Sequence, residues 1–235
     1  MGRPRIFLGM PRYGAVEFGA AARFFCPHSR VNVPEELWVD VVRVQDLCTS
    51  ATPHTFNGLI AQALDWYDAG KATHYASIHS DVVPQGPWLN QLWAEMRLSG
   101  AVLVATNIAI KNESGKTSTA VGQRSDPWRV TRWITCNDLR DLPDTFSTAD
   151  VAKTEDDVLL INTGLILVDL SHDCWRDWTG FEYRTRIIKG PESRQCQFQP
   201  EDWLLSRYLD TCGARYVATS KVRCEHIGPK GYTTE

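Results

Sequence analysis

The 235-residue sequence has little net charge and no apolar run long enough for a membrane span. Its 25 basic and 28 acidic residues give a net charge of −3 at pH 7, which argues against binding nucleic acid or an anionic membrane by charge alone. No apolar run approaches the ~18 to 20 residues that span a bilayer. The basic start, Met1 to Arg5, leads into a strand-like stretch and not into a signal peptide. We therefore expect a soluble, cytoplasmic protein.

The sequence also lacks several motifs that would define other classes of protein. Its seven cysteines are odd in number and include no Cys-x-x-Cys pair, which disfavours a zinc ribbon and a disulfide framework. The loop Gly9 to Gly14 carries no Gly-x-Gly-x-x-Gly motif, which disfavours a dinucleotide-binding oxidoreductase. There is no internal repeat and no low-complexity linker. We therefore expect a single domain over residues 1–235.

Strand-like and helix-like patterns alternate along most of the chain. This alternation predicts an α/β fold with a mostly parallel central sheet flanked by helices. Between residues 121 and 157 the pattern weakens, and we expect a loop-rich insertion there. Strands are predicted at 6–10, 37–44, 75–78, 101–110, 158–168 and 216–218, and helices at 16–25, 56–69, 88–98 and 200–209.

The motif His79-Ser80-Asp81 directly follows the third predicted strand. Ligands gather at the carboxyl ends of strands in open α/β sheets. An imidazole and a carboxylate two residues apart are therefore well placed to hold a divalent cation. The alternative is structural, with Asp81 capping the helix that begins near Trp88.

A second motif, Pro200-Glu201-Asp202-Trp203, opens a predicted helix. Proline suits the first turn, and two acidic residues suit the positive end of the helix dipole. Simple capping by Glu201 and Asp202 would explain this pattern structurally. About 24 residues after Pro200 comes the segment Cys224-Glu225-His226-Ile227-Gly228.

With these motifs, residues 73–96 and 160–228 resemble glycosyltransferases of GT-A fold, in particular family 2-like members. In that family a strand ends in Asp-x-Asp. Here Asp81 matches the second, metal-binding acid, His79 replaces the first, and His226 matches the carboxy-terminal histidine of the metal site. The resemblance implies a GT-A fold with a nucleotide-binding half (1–120) and an acceptor and catalytic half (158–235). It also implies Mn²⁺ or Mg²⁺ bound by Asp81 and His226, with His79 as a third ligand or an outer-shell partner.

The resemblance further implies transfer of a sugar from a nucleotide-sugar donor to an acceptor hydroxyl. A divalent cation would neutralise the charge that develops on the leaving diphosphate. Asp202, with Glu201 beside it, is the predicted general base of an inverting reaction.

The donor-binding residues that we predict lie in four short segments, and each has a structural alternative. Pro11, Arg12 and Tyr13 could instead form an ordinary turn, and Ser50 and Asn57 could belong to a helix cap. Asn162 could mark a bulge in a buried strand. Lys221 and Arg223, with Lys230 nearby, could lie in a solvated tail.

The sequence leaves the acceptor open. One acceptor that the resemblance suggests is a hydroxymethylated pyrimidine in DNA, as in phage-type transferases, with the basic group around His226 contacting phosphates. Two other functions stay open at this stage. One is a sugar-nucleotide nucleotidyltransferase, and the other is a degenerate, non-catalytic protein that binds carbohydrate or nucleotide.

Overall fold

The computed structural model describes residues 3–12, 15–27, 33–49, 51–112, 114–228 and 231–234. Its centre is a seven-stranded sheet in which five strands point the same way, whereas the strands Thr145–Phe146 and Leu165–Asp169 run antiparallel to them. The mostly parallel sheet predicted from the alternating pattern is confirmed. In spatial order the strands are β2 (Asp40–Cys48), β1 (Arg5–Arg12), β3 (His74–Ile78), β10 (Leu165–Asp169), β5 (Leu103–Thr106), β13 (Tyr216–Thr219) and β8 (Thr145–Phe146).

Helices cover both faces of this sheet, so its strands are apolar on both sides. Side-chain alternation along β1 sends Phe7 into one core and Ile6 and Leu8 into the other. Phe56, from the helix Thr52–Asp68, packs in the first core, and Trp88, from the helix Trp88–Ser99, packs in the second. The helices are α1 (Phe18–Phe25), α2 (Thr52–Asp68), α3 (Trp88–Ser99), α4 (Asp138–Asp141), α5 (Thr148–Val151) and α6 (Glu201–Thr211).

Two regions of weak pattern contain more regular structure than we expected. The segment 121–157, predicted to be loop-rich, contributes strands to the central sheet and to a second sheet. This second sheet has the order β7 (Val130–Thr135), β6 (Lys116–Gln123), β9 (Asp157–Leu160). The charged segment before α6 forms an exposed hairpin of β11 (Arg184–Lys189) and β12 (Arg194–Gln199). Backbone pairing stabilises such strands even where the side-chain pattern is weak.

The end of the chain, which the sequence presents as a polar tail, also forms strands. β14 (Cys224–Ile227) pairs with β4 (Val82–Pro84) on one side and with β15 (Gly231–Tyr232) on the other. This pairing brings His226 opposite Val82, one residue after Asp81. Two motifs far apart in sequence therefore meet. The functional division into halves at 1–120 and 158–235 stays a prediction.

Within the described ranges, none of the helices combines the length and the apolar character needed to cross a bilayer.

Candidate active site

A small cavity of about 110 Å³ lies where β3 and β5 end and β10 begins. Leu165 of β10 pairs with Ile78 of β3, so the loop before β10 lies beside the residues that follow β3. His79 N donates to Gly164 O at 2.8 Å and joins these two loops. The predicted site residues that line the cavity are His79, Asn162, Glu201, Asp202 and His226.

Asp81 lies beside this cavity and carries the central charge of the group. Its Oδ2 accepts a hydrogen bond from Lys111 Nζ and lies 3.6 Å from His226 Nε2. Burial alone would raise the pKa of Asp81, but the contacts with His226 and Lys111 outweigh it and hold the pKa well below its usual range. Asp81 is therefore an anion at neutral pH.

His226 is oriented by the backbone. Its Nδ1 lies 2.8 Å from Ala109 O. A carbonyl oxygen only accepts, so Nδ1 carries a proton and donates to it. Nε2, on the other side of the ring, faces Asp81 Oδ2 at 3.6 Å. Metal-ligating histidines are commonly held in this way through their second nitrogen.

The imidazole of His79 is buried against an aromatic ring. Its ring packs 5.2 Å from the ring of Phe56, and its Nε2 is buried with no hydrogen-bond partner in the described part of the chain. Burial lowers the pKa of His79 to about 4, and the positive charge of Lys111 adds to this effect, whereas Asp81 opposes it. His79 is therefore a neutral, buried imidazole at physiological pH.

The three predicted metal ligands do not form a three-ligand site. Across the described ranges, no three His, Cys, Asp or Glu side chains lie close enough to hold a metal ion together. Asp81 and His226 have the right chemistry and are neighbours, but Lys111 already contributes a positive charge at Asp81 Oδ2. Asp81, His226 and His79 therefore do not form a complete set of metal ligands in this structure, and a divalent metal at this position stays a prediction.

Glu201 and Asp202 begin α6, and the pKa values of both carboxyl groups are raised. Burial, followed by repulsion from Glu201, raises the pKa of Asp202 well above its ordinary value. Burial likewise raises the pKa of Glu201, which is 7% exposed. The position before the helix is Pro200, and no side chain caps it. Asp202 Oδ1, however, accepts a hydrogen bond from Trp203 N at 2.8 Å, so this acid also satisfies a backbone N–H of the first helical turn, as the structural alternative predicts.

A serine one turn further along α6 holds this helix start against the sheet. Ser206 Oγ donates to Asp202 O at 2.8 Å and accepts from Ile161 N at 2.9 Å. Because Ile161 directly precedes Asn162, this bridge ties the carboxylates to the loop on the other side of the cavity. The spacing of the two walls is therefore set by hydrogen bonds between secondary-structure elements.

Two of the predicted donor-binding residues are occupied by contacts within the protein. Asn57 Nδ2 donates to Phe181 O at 2.8 Å, and Asn57 Oδ1 accepts from Phe181 N at 2.6 Å. Asn162 is 4% exposed. Its Nδ2 donates to Thr106 O at 2.6 Å and its Oδ1 accepts from Gly164 N at 3.0 Å. Both asparagines therefore shape the backbone in this structure.

The first predicted loop is only partly described. Arg12 ends β1 and its Nε donates to Asp46 Oδ2 at 2.8 Å, while Pro11 beside it is buried. Tyr13 and Ser50 lie outside the described residues. A phosphate contact by Arg12 stays a prediction.

Two members of the predicted basic group, Lys221 and Arg223, do not line the cavity. Lys221 Nζ donates to Oε1 of the buried Glu95 at 2.8 Å and so compensates a carboxylate inside the fold. Arg223 lines a separate cavity together with Arg140 and Asp144. Lys230 lies outside the described residues. Contact between this group and a diphosphate or DNA stays a prediction.

Lys111 is the site residue that the sequence interpretation missed. It follows the apolar stretch 101–110 in a segment that looks like an ordinary polar turn. Its position after β5 could have indicated a site residue, because β5 ends at the same edge of the sheet as β3.

Neither a protein-family model nor a curated protein matches the chain. Among solved structures, A197 from STIV has a TM-score of 0.51 and 14% sequence identity, covering 95% of this chain and 86% of that one. This likeness shows that the two proteins share a fold.

Other solved structures that resemble parts of the chain are nucleotide-sugar pyrophosphorylases. A uridine diphosphate N-acetylglucosamine pyrophosphorylase from Trypanosoma brucei has a TM-score of 0.33 and 9% identity, covering 67% of this chain and 31% of that one. A putative one from Entamoeba histolytica has a TM-score of 0.42 and 9% identity, covering 92% and 73%. Likenesses with TM-scores this low do not establish an activity.

Proposed function

We propose that this chain is a GT-A-type glycosyltransferase that moves a sugar from a nucleotide-sugar donor to an acceptor hydroxyl. One observation carries the proposal. Two acids with raised pKa values, Glu201 and Asp202, line the same small cavity as His226, which contacts the Asp81 and Lys111 ion pair. A potential base thus lies in the cavity, and the positively charged Lys111 lies beside it, linked to the cavity wall through Asp81 and His226.

This arrangement matches the two chemical needs of sugar transfer. The acceptor hydroxyl must lose a proton, and a base works best when its pKa approaches the pH at which it operates. Burial and repulsion raise the pKa of Asp202 in this direction. The departing diphosphate gains negative charge, which a fixed cation stabilises. Asp202 is accordingly the proposed base, and the reaction is proposed to invert the anomeric centre.

The first test is a panel of nucleotide sugars, each with and without Mn²⁺, scored by release of nucleoside diphosphate. Asp202→Asn should lower turnover by about 10² to 10⁴ while donor binding stays within about twofold, because removing a positioned base affects the chemical step. The exposed Asp65→Asn on α2 is the matched control and should retain activity. Full turnover in Asp202→Asn, or an anomeric configuration that NMR shows to be retained, would contradict the assigned base.

The same panel separates the alternative functions. A sugar-nucleotide nucleotidyltransferase would release pyrophosphate from a nucleoside triphosphate and a sugar 1-phosphate. A non-catalytic protein would bind a nucleotide sugar without turnover. Including hydroxymethylated DNA as an acceptor tests the DNA hypothesis directly, and DNA-dependent turnover is its required result.

A further inference from the structure

A lysine occupies the position where the resemblance places a metal ion. Lys111 Nζ donates to Asp81 Oδ2, the carboxylate assigned to metal binding. In the portion of the chain that the structure covers, no third His, Cys, Asp or Glu joins Asp81 and His226 to complete a metal site. A departing diphosphate needs a positive charge whether a metal ion or a lysine provides it. Here the protein's own side chain provides it.

His226 restrains this ion pair from the neighbouring strand. Its Nε2 lies 3.6 Å from Asp81 Oδ2, beyond ordinary hydrogen-bond length, while its Nδ1 donates to Ala109 O at 2.8 Å. Lys111 lies two residues after Ala109, so one short segment both orients His226 and carries the ammonium group. The three side chains therefore form one connected unit.

The backbone on either side of the ion pair is held by hydrogen bonds. Ile110 N donates to Lys116 O at 3.0 Å, immediately before Lys111. On the other side, Ile227 N donates to Asp81 O at 2.8 Å. Together with the bond from His226 Nδ1 to Ala109 O, these bonds link the segment that carries Lys111 to the segment that carries Asp81. The positive charge is therefore positioned before any ligand binds, as electrostatic stabilisation of a transition state requires.

Both partners of the ion pair remain accessible to a ligand. The Lys111 side chain is 32% exposed and the Asp81 side chain 25% exposed. An ammonium group has three N–H donors, and Asp81 uses one of them. The remaining donors can reach phosphate oxygens, for which lysine is a common partner as a point charge.

We infer that Lys111, held by Asp81, supplies the positive charge that stabilises the departing nucleoside diphosphate in place of a divalent metal. This inference rests on the proposed function. The bond between the anomeric carbon and the diphosphate oxygen breaks, and its electron pair stays on that oxygen. The acceptor oxygen bonds to the anomeric carbon and its proton passes to Asp202. Lys111 keeps its proton and donates hydrogen bonds, and Asp81 is a positioning residue.

The test is calorimetric binding of a panel of common nucleoside diphosphates to the full chain, once with EDTA and once with Mn²⁺. We expect the dissociation constant of the best nucleotide to agree within about twofold between the two conditions. Lys111→Met should weaken this binding about 10- to 100-fold in EDTA, the range for losing a hydrogen bond to a charged group. Lys111→Arg should retain most of the affinity because it keeps the charge.

The control is Lys71→Met, an exposed lysine that precedes β3 at the opposite end of the sheet. It should bind like the wild type. If Lys111→Met does not fold, as judged by circular dichroism, the wild-type comparison and Lys111→Arg still decide. Binding that appears only with Mn²⁺ would overturn the role of Lys111 and leave the proposed function standing. Failure of every nucleoside diphosphate to bind in both conditions would overturn both.

Discussion

Replacing Asn162 by alanine should destabilise the fold because this side chain joins two backbone segments at the edge of the cavity. Asn162 donates to Thr106 O at 2.6 Å and accepts from Gly164 N at 3.0 Å. Each buried polar group that loses its partner costs about 1 to 3 kcal/mol. Because the side chain borders the cavity, water can reach the freed groups, and we expect the lower part of the range, about 2 to 4 kcal/mol in total. For a chain of this size that lowers the Tm by roughly 4 to 16 °C.

Urea unfolding and calorimetry at neutral pH measure this cost. Asn137→Ala is the matched control, because Asn137 is exposed and its side chain makes no capping hydrogen bond. Such surface changes usually stay within about 0.5 kcal/mol. If the Asn162 and Asn137 variants unfold at the same urea concentration, the structural role of Asn162 is refuted. In that case the donor contact predicted from sequence becomes the better explanation of this residue.

Two further predictions concern Asp202 and Lys221. Asp202→Asn should raise the Tm at pH 8 and have a smaller effect at pH 4. Burial gives Asp202 a higher pKa in the folded state than in the unfolded state, so its protonated form favours folding. That stability is lost as the pH rises through the raised pKa. If the wild type had a higher Tm than Asp202→Asn at pH 8, this sign would be wrong. Lys221→Met should cost about 1 to 3 kcal/mol by leaving the buried Glu95 without its cation, yet leave nucleotide affinity unchanged; weakened nucleotide binding in a folded variant, measured by calorimetry, would instead restore the predicted diphosphate contact.

The overall architecture could be predicted because it depends on patterns that are local in sequence. Apolar runs such as Ile6 to Met10 become strands buried on both faces, and the spacing of Phe56, Leu59 and Ile60 defines the face that α2 buries. The polar interruption Asn162 to Gly164 separates β9 from β10, as its position in an apolar run predicts.

Strand pairing at the end of the chain could not be predicted, because the polar pattern there contains no apolar alternation. Residues from Cys224 onwards look like a tail in sequence, yet those of β14, Cys224–Ile227, pair with β4 on one side and with β15 on the other. His226 reaches Asp81 only through this pairing. The resemblance anticipated the meeting of these two residues, while its physical cause is a register that no local signal encodes.

The sequence by itself determined the α/β class, the placement of His79, Asp81 and Asp202 at ends of elements, and the near-neutral charge. Only the tertiary structure decided which polar groups are free to bind a ligand. It assigned Asn57 and Asn162 to backbone contacts, Lys221 to a buried carboxylate and Lys111 to Asp81. The reason is physical, because a polar side chain's partner depends on which residues lie within about 3 Å of it, and that distance is set by packing between segments far apart in the chain.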